Sequence, residues 1–170
     1  MDCFVDADFA GNWTSTEADS ADTVRSRAGF VISIGEVPVL WKSKRIHEIC
    51  LSTMESEYIA LSMAMRSLIH LRGLLFEIDA TFSLGVGDKI STISTVWEDN
   101  QSAQILATTD PPRLTPRSKS LAVKYHWFRS KLSDTLQIKH VPSADNAADI
   151  FTKAIPFEAF ARHRKTICGW

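Results

Sequence analysis

Hydrophobic and polar positions alternate over short runs in the first quarter of the chain, a pattern that is typical of β-strands. Residues 2–8 form one such run, and residues 28–34 and 37–43 form two more that flank Gly35 and Glu36. Two β-rich runs joined by a short turn that contains glycine predict an antiparallel hairpin. The sequence therefore begins with three predicted strands.

The longest helical pattern follows over residues 53–78, with Thr53 as its predicted N-cap. Its apolar positions recur at steps of three or four and so share one face; they are Leu61, Ala64, Leu68, Leu71, Leu75 and Ile78. Four residues before Leu61 the same stripe reaches Glu57, whereas Glu55 lies off it. We therefore expect Glu57 on the core-facing side. The alternative interpretation is an acid that only complements the helix dipole.

The remaining elements are a strand over residues 91–98, a strand over 136–141, and shorter helices. These helices are predicted to begin near Asn100 and over residues 119–133, 145–153 and 157–170. Parallel neighbours need a long crossover, which the helix over 53–78 supplies. We predict an α/β fold with a five-stranded mixed sheet, in which strands 2–8 and 91–98 are parallel neighbours.

Length and composition fit one globular domain. The chain has 170 residues, of which 45% are hydrophobic and 23% charged, and its net charge of −1 argues against a globally basic nucleic-acid binder. No uninterrupted apolar run approaches the 18 residues of a membrane span, so we expect no membrane association. The three cysteines are widely separated, which favours reduced thiols in an intracellular protein.

Four acidic residues stand out by their position. Asp6 lies in the middle of an apolar strand, which is costly unless the acid is paired, hydrogen-bonded or bound to a metal. Asp99 follows a strand, Glu57 begins the long helix, and Asp149 lies in a late helix. We predict that the four carboxylates converge on one metal site. For Asp99, and equally for Asn100, the alternative is a helix N-cap.

Several motifs, in this order, resemble the ribonuclease H domain of copia-type (pseudoviral) LTR retrotransposon polyproteins. The resemblance covers nearly the whole chain. The motifs lie at residues 6–11, 25–31, 41–44, 51–62, 98–103, 124–129 and 145–153.

The resemblance implies a ribonuclease H-like fold with helices on both faces of the sheet. It implies an endonuclease that cleaves the RNA strand of an RNA–DNA hybrid and leaves 5′-phosphate products. Asp6, Glu57, Asp99 and Asp149 would be its catalytic and metal-binding acids, and Asp6 is preferred over Asp8. The cofactor would be two Mg²⁺ ions, with Mn²⁺ as a substitute, which suits oxygen ligands and in-line phosphoryl displacement.

The resemblance also bears on organisation and partners. Residues 1–155 would form the ribonuclease H domain and residues 156–170 a basic helical tail, with a reverse transcriptase upstream in the same polyprotein. The expected location is intracellular, in cytoplasmic virus-like particles with a possible nuclear phase. The alternative function is a catalytically silent module that holds hybrid for that reverse transcriptase.

Substrate contacts are predicted around the acids. Thr53, Asn100 and Gln101 flank the site and are candidates for contacts with the 2′-hydroxyls that distinguish RNA. No histidine lies between His140 and Asp149, so we assign no catalytic histidine. A basic set is the candidate for phosphate contacts, with a solvated helix face as the alternative; it comprises Arg113, Arg117, Lys119 and Lys124.

Overall fold

The structure is a computed structural model that describes residues 1–17, 20, 23–83, 93–110, 119, 121, 123 and 125–170. Its strands are β1 (Asp2–Asp8), β2 (Arg27–Ile34), β3 (Val37–Arg45), β4 (Ser94–Glu98) and β5 (Leu136–His140). Its α-helices are α1 (Thr53–Phe82), α2 (Gln101–Thr108) and α3 (Phe157–Cys168). Short 3₁₀ helices cover Ser15–Glu17, His126–Lys131, Ser143–Asp145 and Ala147–Phe151.

The five strands form one mixed sheet in the order β3-β2-β1-β4-β5. The strand β1 is antiparallel to β2 and parallel to β4, and β4 is parallel to β5. The predicted sheet and its parallel pair are thus confirmed. In the register of that pair Val5 lies opposite Glu98, so Asp6 and Asp99 each follow by one residue at the same end of the sheet.

The N-cap of α1 lies one residue earlier than predicted. Ser52, not Thr53, is the N-cap, and its hydroxyl accepts a hydrogen bond from the Glu55 amide at 3.2 Å. The helix also continues beyond residue 78 to Phe82 and ends at Ser83, whose φ of 50° lies in the left-handed region. The predicted stripe is buried at Leu61, Ala64 and Leu68.

The two faces of the sheet are covered by different elements. Val5 and Phe30 lie opposite each other and belong to the buried core that includes α1. Gly29, one residue away, faces the other side. A Cβ there would lie 2.7 Å from Phe151 Cβ and 2.7 Å from Thr152 Cγ2. Only glycine lets the segment after Asn146 pack this closely on the sheet.

Two predicted helices are partly or wholly 3₁₀ in the structure. Residues 119–133 and 145–153 were predicted to be helical. The described residues 119, 121, 123 and 125 are α-helical, and 3₁₀ helices follow at His126–Lys131, Ser143–Asp145 and Ala147–Phe151. Such short segments are held by tertiary contacts instead of by helical periodicity. The Asn146 side chain, for example, both caps the Ala148 amide and donates a hydrogen bond to β1.

The predicted hairpin turn is present, with φ of 54° at Gly35 and 68° at Glu36.

Within the described part of the chain, α1 is the one helix long and apolar enough to span a bilayer by length and composition. This is weak support for a span, because a core helix passes the same test and the first half of α1 packs on the sheet.

At the other end of the chain, α3 packs against β3 and the 147–151 segment. Its His163 is buried there. A boundary between domain and tail near residue 155 stays a prediction.

Candidate metal centre

Three of the four predicted acids meet at one end of the sheet. Asp6 in β1, Glu57 in the second turn of α1 and Asp99 just after β4 each place a carboxylate oxygen within 4.8 Å of the others. Asp6 and Glu57 are only 1% and 4% exposed, whereas Asp99 is half-buried. The Glu57 Oε2 atom is buried and accepts no hydrogen bond from the residues that the structure describes. Clustered carboxylate oxygens of this kind suit a hard divalent cation.

The fourth acid, Asp149, is joined to Asp6 through a lysine and stands outside that close group. The Lys153 Nζ atom lies 3.0 Å from Asp149 Oδ1 and 3.4 Å from Asp6 Oδ1. The hydroxyl of Thr152 donates a hydrogen bond to Asp6 Oδ2. Both carboxylate oxygens of Asp6 therefore have partners in the segment that carries Asp149.

The buried acids strongly disfavour the ionised state. Burial, together with the charges of Glu98, Asp6 and Asp99, raises the pKa of Glu57 to about 11. Burial also raises the pKa of Asp6, although the Thr152 hydrogen bond and the Lys153 charge oppose it. For Lys153, burial lowers the pKa but Asp6 and Asp149 outweigh it, and the net shift is upward. A bound cation would therefore favour the ionised forms of Glu57 and Asp6.

A fifth carboxyl group, Glu98, interacts electrostatically with these acids and was not predicted from the sequence. It is fully buried, its Oε1 accepts a hydrogen bond from the Asn100 amide at 3.0 Å, and its Oε2 has no partner among the described residues. Burial raises its pKa well above the usual value, and Asp99 adds to the shift. Strand alternation would have found it, because Glu98 lies two residues after the buried Val96.

The predicted nucleic-acid contacts are only partly described. Thr53 and Gln101 are exposed at the starts of α1 and α2, next to the acids. Asn100 is the N-cap of α2, so the capping alternative applies to Asn100 and not to Asp99. Lys119 is exposed. The other three basic positions, Arg113, Arg117 and Lys124, lie outside the described residues, and the contact roles stay predictions.

A basic cleft lies between β3 and α1 and was also missed. Lys42 and Lys44 alternate with Ser43 along β3, so they point to the same side of the sheet. They line the cleft together with Arg45, His47, Arg66 and one acidic residue, Glu48. The alternation of lysines in an edge strand was visible in the sequence, but which helix side chain would complete the cleft was not.

No protein-family model matches the chain. Among curated proteins it is 30% identical, over 92% of its length, to the retrovirus-related Pol polyprotein from transposon TNT 1-94 of Nicotiana tabacum. It is 29% identical, over 98% of its length, to the corresponding polyprotein from transposon RE2 of Arabidopsis thaliana. It spans about 10% of the length of each of these relatives.

Among solved structures, LC11-RNase H1 in complex with RNA/DNA hybrid superposes with a TM-score of 0.59 and 19% identity, covering 89% of this chain and 92% of that one. RNase H1 from the halophilic archaeon Halobacterium salinarum gives a TM-score of 0.55 and 20% identity, covering 95% and 97%. The chain has the ribonuclease H fold, and its homologues are Pol polyproteins of plant copia-type transposons. The predicted fold and resemblance are thereby confirmed.

Proposed function

We propose that the chain is a metal-dependent ribonuclease H that cleaves the RNA strand of RNA–DNA hybrids during reverse transcription. The observation that carries this proposal is the meeting of Asp6, Glu57 and Asp99 within 4.8 Å at the ends of parallel strands. Support comes from the fold and from a structural neighbour that was solved with an RNA/DNA hybrid.

The donor set fits the metal that the fold family implies. Asp6, Glu57 and Asp99, with Asp149 beside them, offer only carboxylate oxygens, and the buried Glu57 Oε2 lacks a partner among described residues. These are the ligands that Mg²⁺ prefers, and Mn²⁺ accepts the same set. When bound, two such ions would supply an activated water and stabilise the leaving oxygen of an in-line displacement.

Neighbouring residues hold the acids in place. Asn146 is fully buried, and its Nδ2 atom donates to the Val5 carbonyl at 2.8 Å. Its Oδ1 accepts from the Ala148 amide at 3.1 Å. This one side chain therefore ties the segment that carries Asp149 to β1, which carries Asp6. Thr152 restricts the Asp6 carboxylate from the same segment.

Substrate binding would combine two kinds of contact. Thr53, Asn100 and Gln101 lie beside the acids, where 2′-hydroxyls of the RNA strand would be read. Lys42, Lys44 and the predicted basic set, of which Lys119 is described, would bind phosphates without regard to sequence. An upstream reverse transcriptase and an intracellular location remain part of this proposal.

A silent module that binds hybrid for the polymerase is the second candidate. The observation that favours it is the ammonium of Lys153, which lies between Asp6 and Asp149 and competes with a cation there. The two candidates differ in whether the RNA strand is cut, so one assay separates them.

The test uses a hybrid with end-labelled RNA, in Mg²⁺ and in Mn²⁺. We expect cleavage by the wild type, and a loss of more than about a hundredfold in Asp6→Asn, Glu57→Gln and Asp99→Asn, because each removes metal-held transition-state stabilisation. Asp149→Asn should also lose activity. The exposed Asp134→Asn is the matched control and should retain the wild-type rate.

Binding must be measured alongside cleavage, for example by fluorescence anisotropy in Ca²⁺. Retained binding in the inactive variants supports the proposal. Hybrid binding by the wild type without cleavage at any Mg²⁺ or Mn²⁺ concentration would instead establish the silent module.

A further inference from the structure

Lys153 occupies the place between two acids where a shared cation would sit. Its ammonium lies 3.0 Å from Asp149 Oδ1 and 3.4 Å from Asp6 Oδ1, and the side chains of these two acids are 13% and 2% exposed. The lysine follows the 3₁₀ helix that carries Asp149 and is four residues away from it. The ion pair is therefore local to the segment, while the contact with Asp6 spans the chain.

This position has an electrostatic reason. Asp6 lies close to Glu57 and Asp99 and shares the Lys153 ammonium with Asp149. Without a cation, acids packed this closely destabilise one another's ionised forms. The ammonium offsets this effect for Asp6 and Asp149, whereas none of the described ion pairs includes Glu57 or Asp99. The two halves of the acid cluster are thus unequal when no metal is bound.

The Lys153 side chain also has room to leave. It is 37% exposed, and four flexible methylene groups carry its ammonium. It lines an open polar cleft together with Asp8, Asn12 and Ser43. The carboxylate of Asp8, which has no role in the proposed metal site, lines this cleft together with the Arg27 side chain.

We propose that Lys153 is a built-in counter-ion that stabilises the metal-free site and must withdraw before a divalent cation binds between Asp6 and Asp149. It follows that the Asp6, Glu57 and Asp99 group fills first. The Asp6–Asp149 position fills second and more weakly. This inference rests on the proposed metal role of the acids and adds a regulatory residue to it.

The test compares Mg²⁺ binding to the EDTA-treated full chain by titration calorimetry, with no nucleic acid present. For Lys153→Met we expect the weaker Mg²⁺ affinity to increase by about tenfold, the range of a typical coupling between competing ligands. The same variant should melt at a lower temperature than wild type in EDTA and regain stability in saturating Mg²⁺. Lys131→Met removes an exposed lysine and should change neither quantity.

Lys153→Arg provides a second variant if Lys153→Met folds poorly. A guanidinium can hold two carboxylates at once, so this variant should stay stable in EDTA and bind Mg²⁺ more weakly than wild type. Any of three results would overturn the inference. These are equal Mg²⁺ affinities in all three proteins, a Lys153→Met variant that is more stable than wild type in EDTA, and no Mg²⁺ binding at all.

The outcomes are separable from those of the proposed function. Hybrid cleavage with equal Mg²⁺ affinities would leave the nuclease proposal standing and remove the role of Lys153. Tighter Mg²⁺ binding in Lys153→Met without cleavage by any variant would leave the role of Lys153 standing and remove the nuclease proposal.

Discussion

The metal-free site should make the protein less stable as the pH rises, and Glu57→Gln should remove much of this effect. Burial raises the pKa of Glu57 to about 11, from an ordinary value of 4.5. The folded protein therefore holds a proton at neutral pH that the unfolded chain releases. A raised pKa gives stability that is complete below about pH 4.5 and is lost as the pH rises toward 11.

The size of the effect follows from the linkage relation. One group that is protonated when folded and ionised when unfolded changes the free energy of unfolding by about 1.4 kcal/mol per pH unit. Between pH 5 and pH 8 the loss assigned to Glu57 is at most about 4 kcal/mol. Because Glu57 is only 4% exposed, solvent screening reduces this value little.

The assay is urea unfolding in EDTA at pH 5 and at pH 8, for the wild type, Glu57→Gln and the control Glu77→Gln. Glu77 lies on the same helix but is exposed. We expect the wild type and Glu77→Gln to lose similar stability over this range, and Glu57→Gln to lose clearly less. Equal losses in all three, within about 1 kcal/mol, would show that Glu57 is ionised in the folded protein and refute the reasoning.

Three other predictions concern packing and substrate binding. Gly29→Ala should lower the free energy of unfolding by about 1–3 kcal/mol through overpacking. Gly73→Ala, at an open position within α1, should instead raise it by about 0.5–1 kcal/mol. Urea unfolding measures both values, and an unchanged stability of Gly29→Ala would contradict the close approach of the 147–151 segment. Asn146→Ala should cost about 1–3 kcal/mol by leaving a buried carbonyl unpaired, and an unchanged midpoint would argue against this tie. Lys42→Gln with Lys44→Gln should weaken hybrid binding and lower the salt dependence by about two counter-ions; an unchanged salt slope would exclude the basic cleft as a phosphate site.

Much of the fold, and the approach of Asp6, Glu57 and Asp99 to one another, could be predicted from simple periodicities. The i+3 and i+4 stripe of α1 placed Glu57 toward the core, and the crossover rule placed the strand of Asp6 beside the strand that ends at Asp99. These features depend only on backbone geometry and on which face is buried. They are therefore visible in the order of apolar residues.

What the sequence left open depends on side chains and short segments. The contact of Lys153 with Asp6 spans 147 residues and depends on how the last segment packs against β1, which local periodicity does not determine. Glu98 was missed for a different reason. The resemblance directed attention to Asp99 beside it, although strand alternation already marked Glu98 as inward-facing.

The most direct test of the central claim is to identify the ends of the RNA produced from an RNA–DNA hybrid in Mg²⁺, by mass spectrometry of the fragments. Hydrolysis by a metal-activated water predicts internal cuts in the RNA strand with 5′-phosphate and 3′-hydroxyl ends, an intact DNA strand, and no products from Asp99→Asn. Fragments that carry 2′,3′-cyclic phosphates, or cuts that persist in Asp99→Asn, would contradict the account.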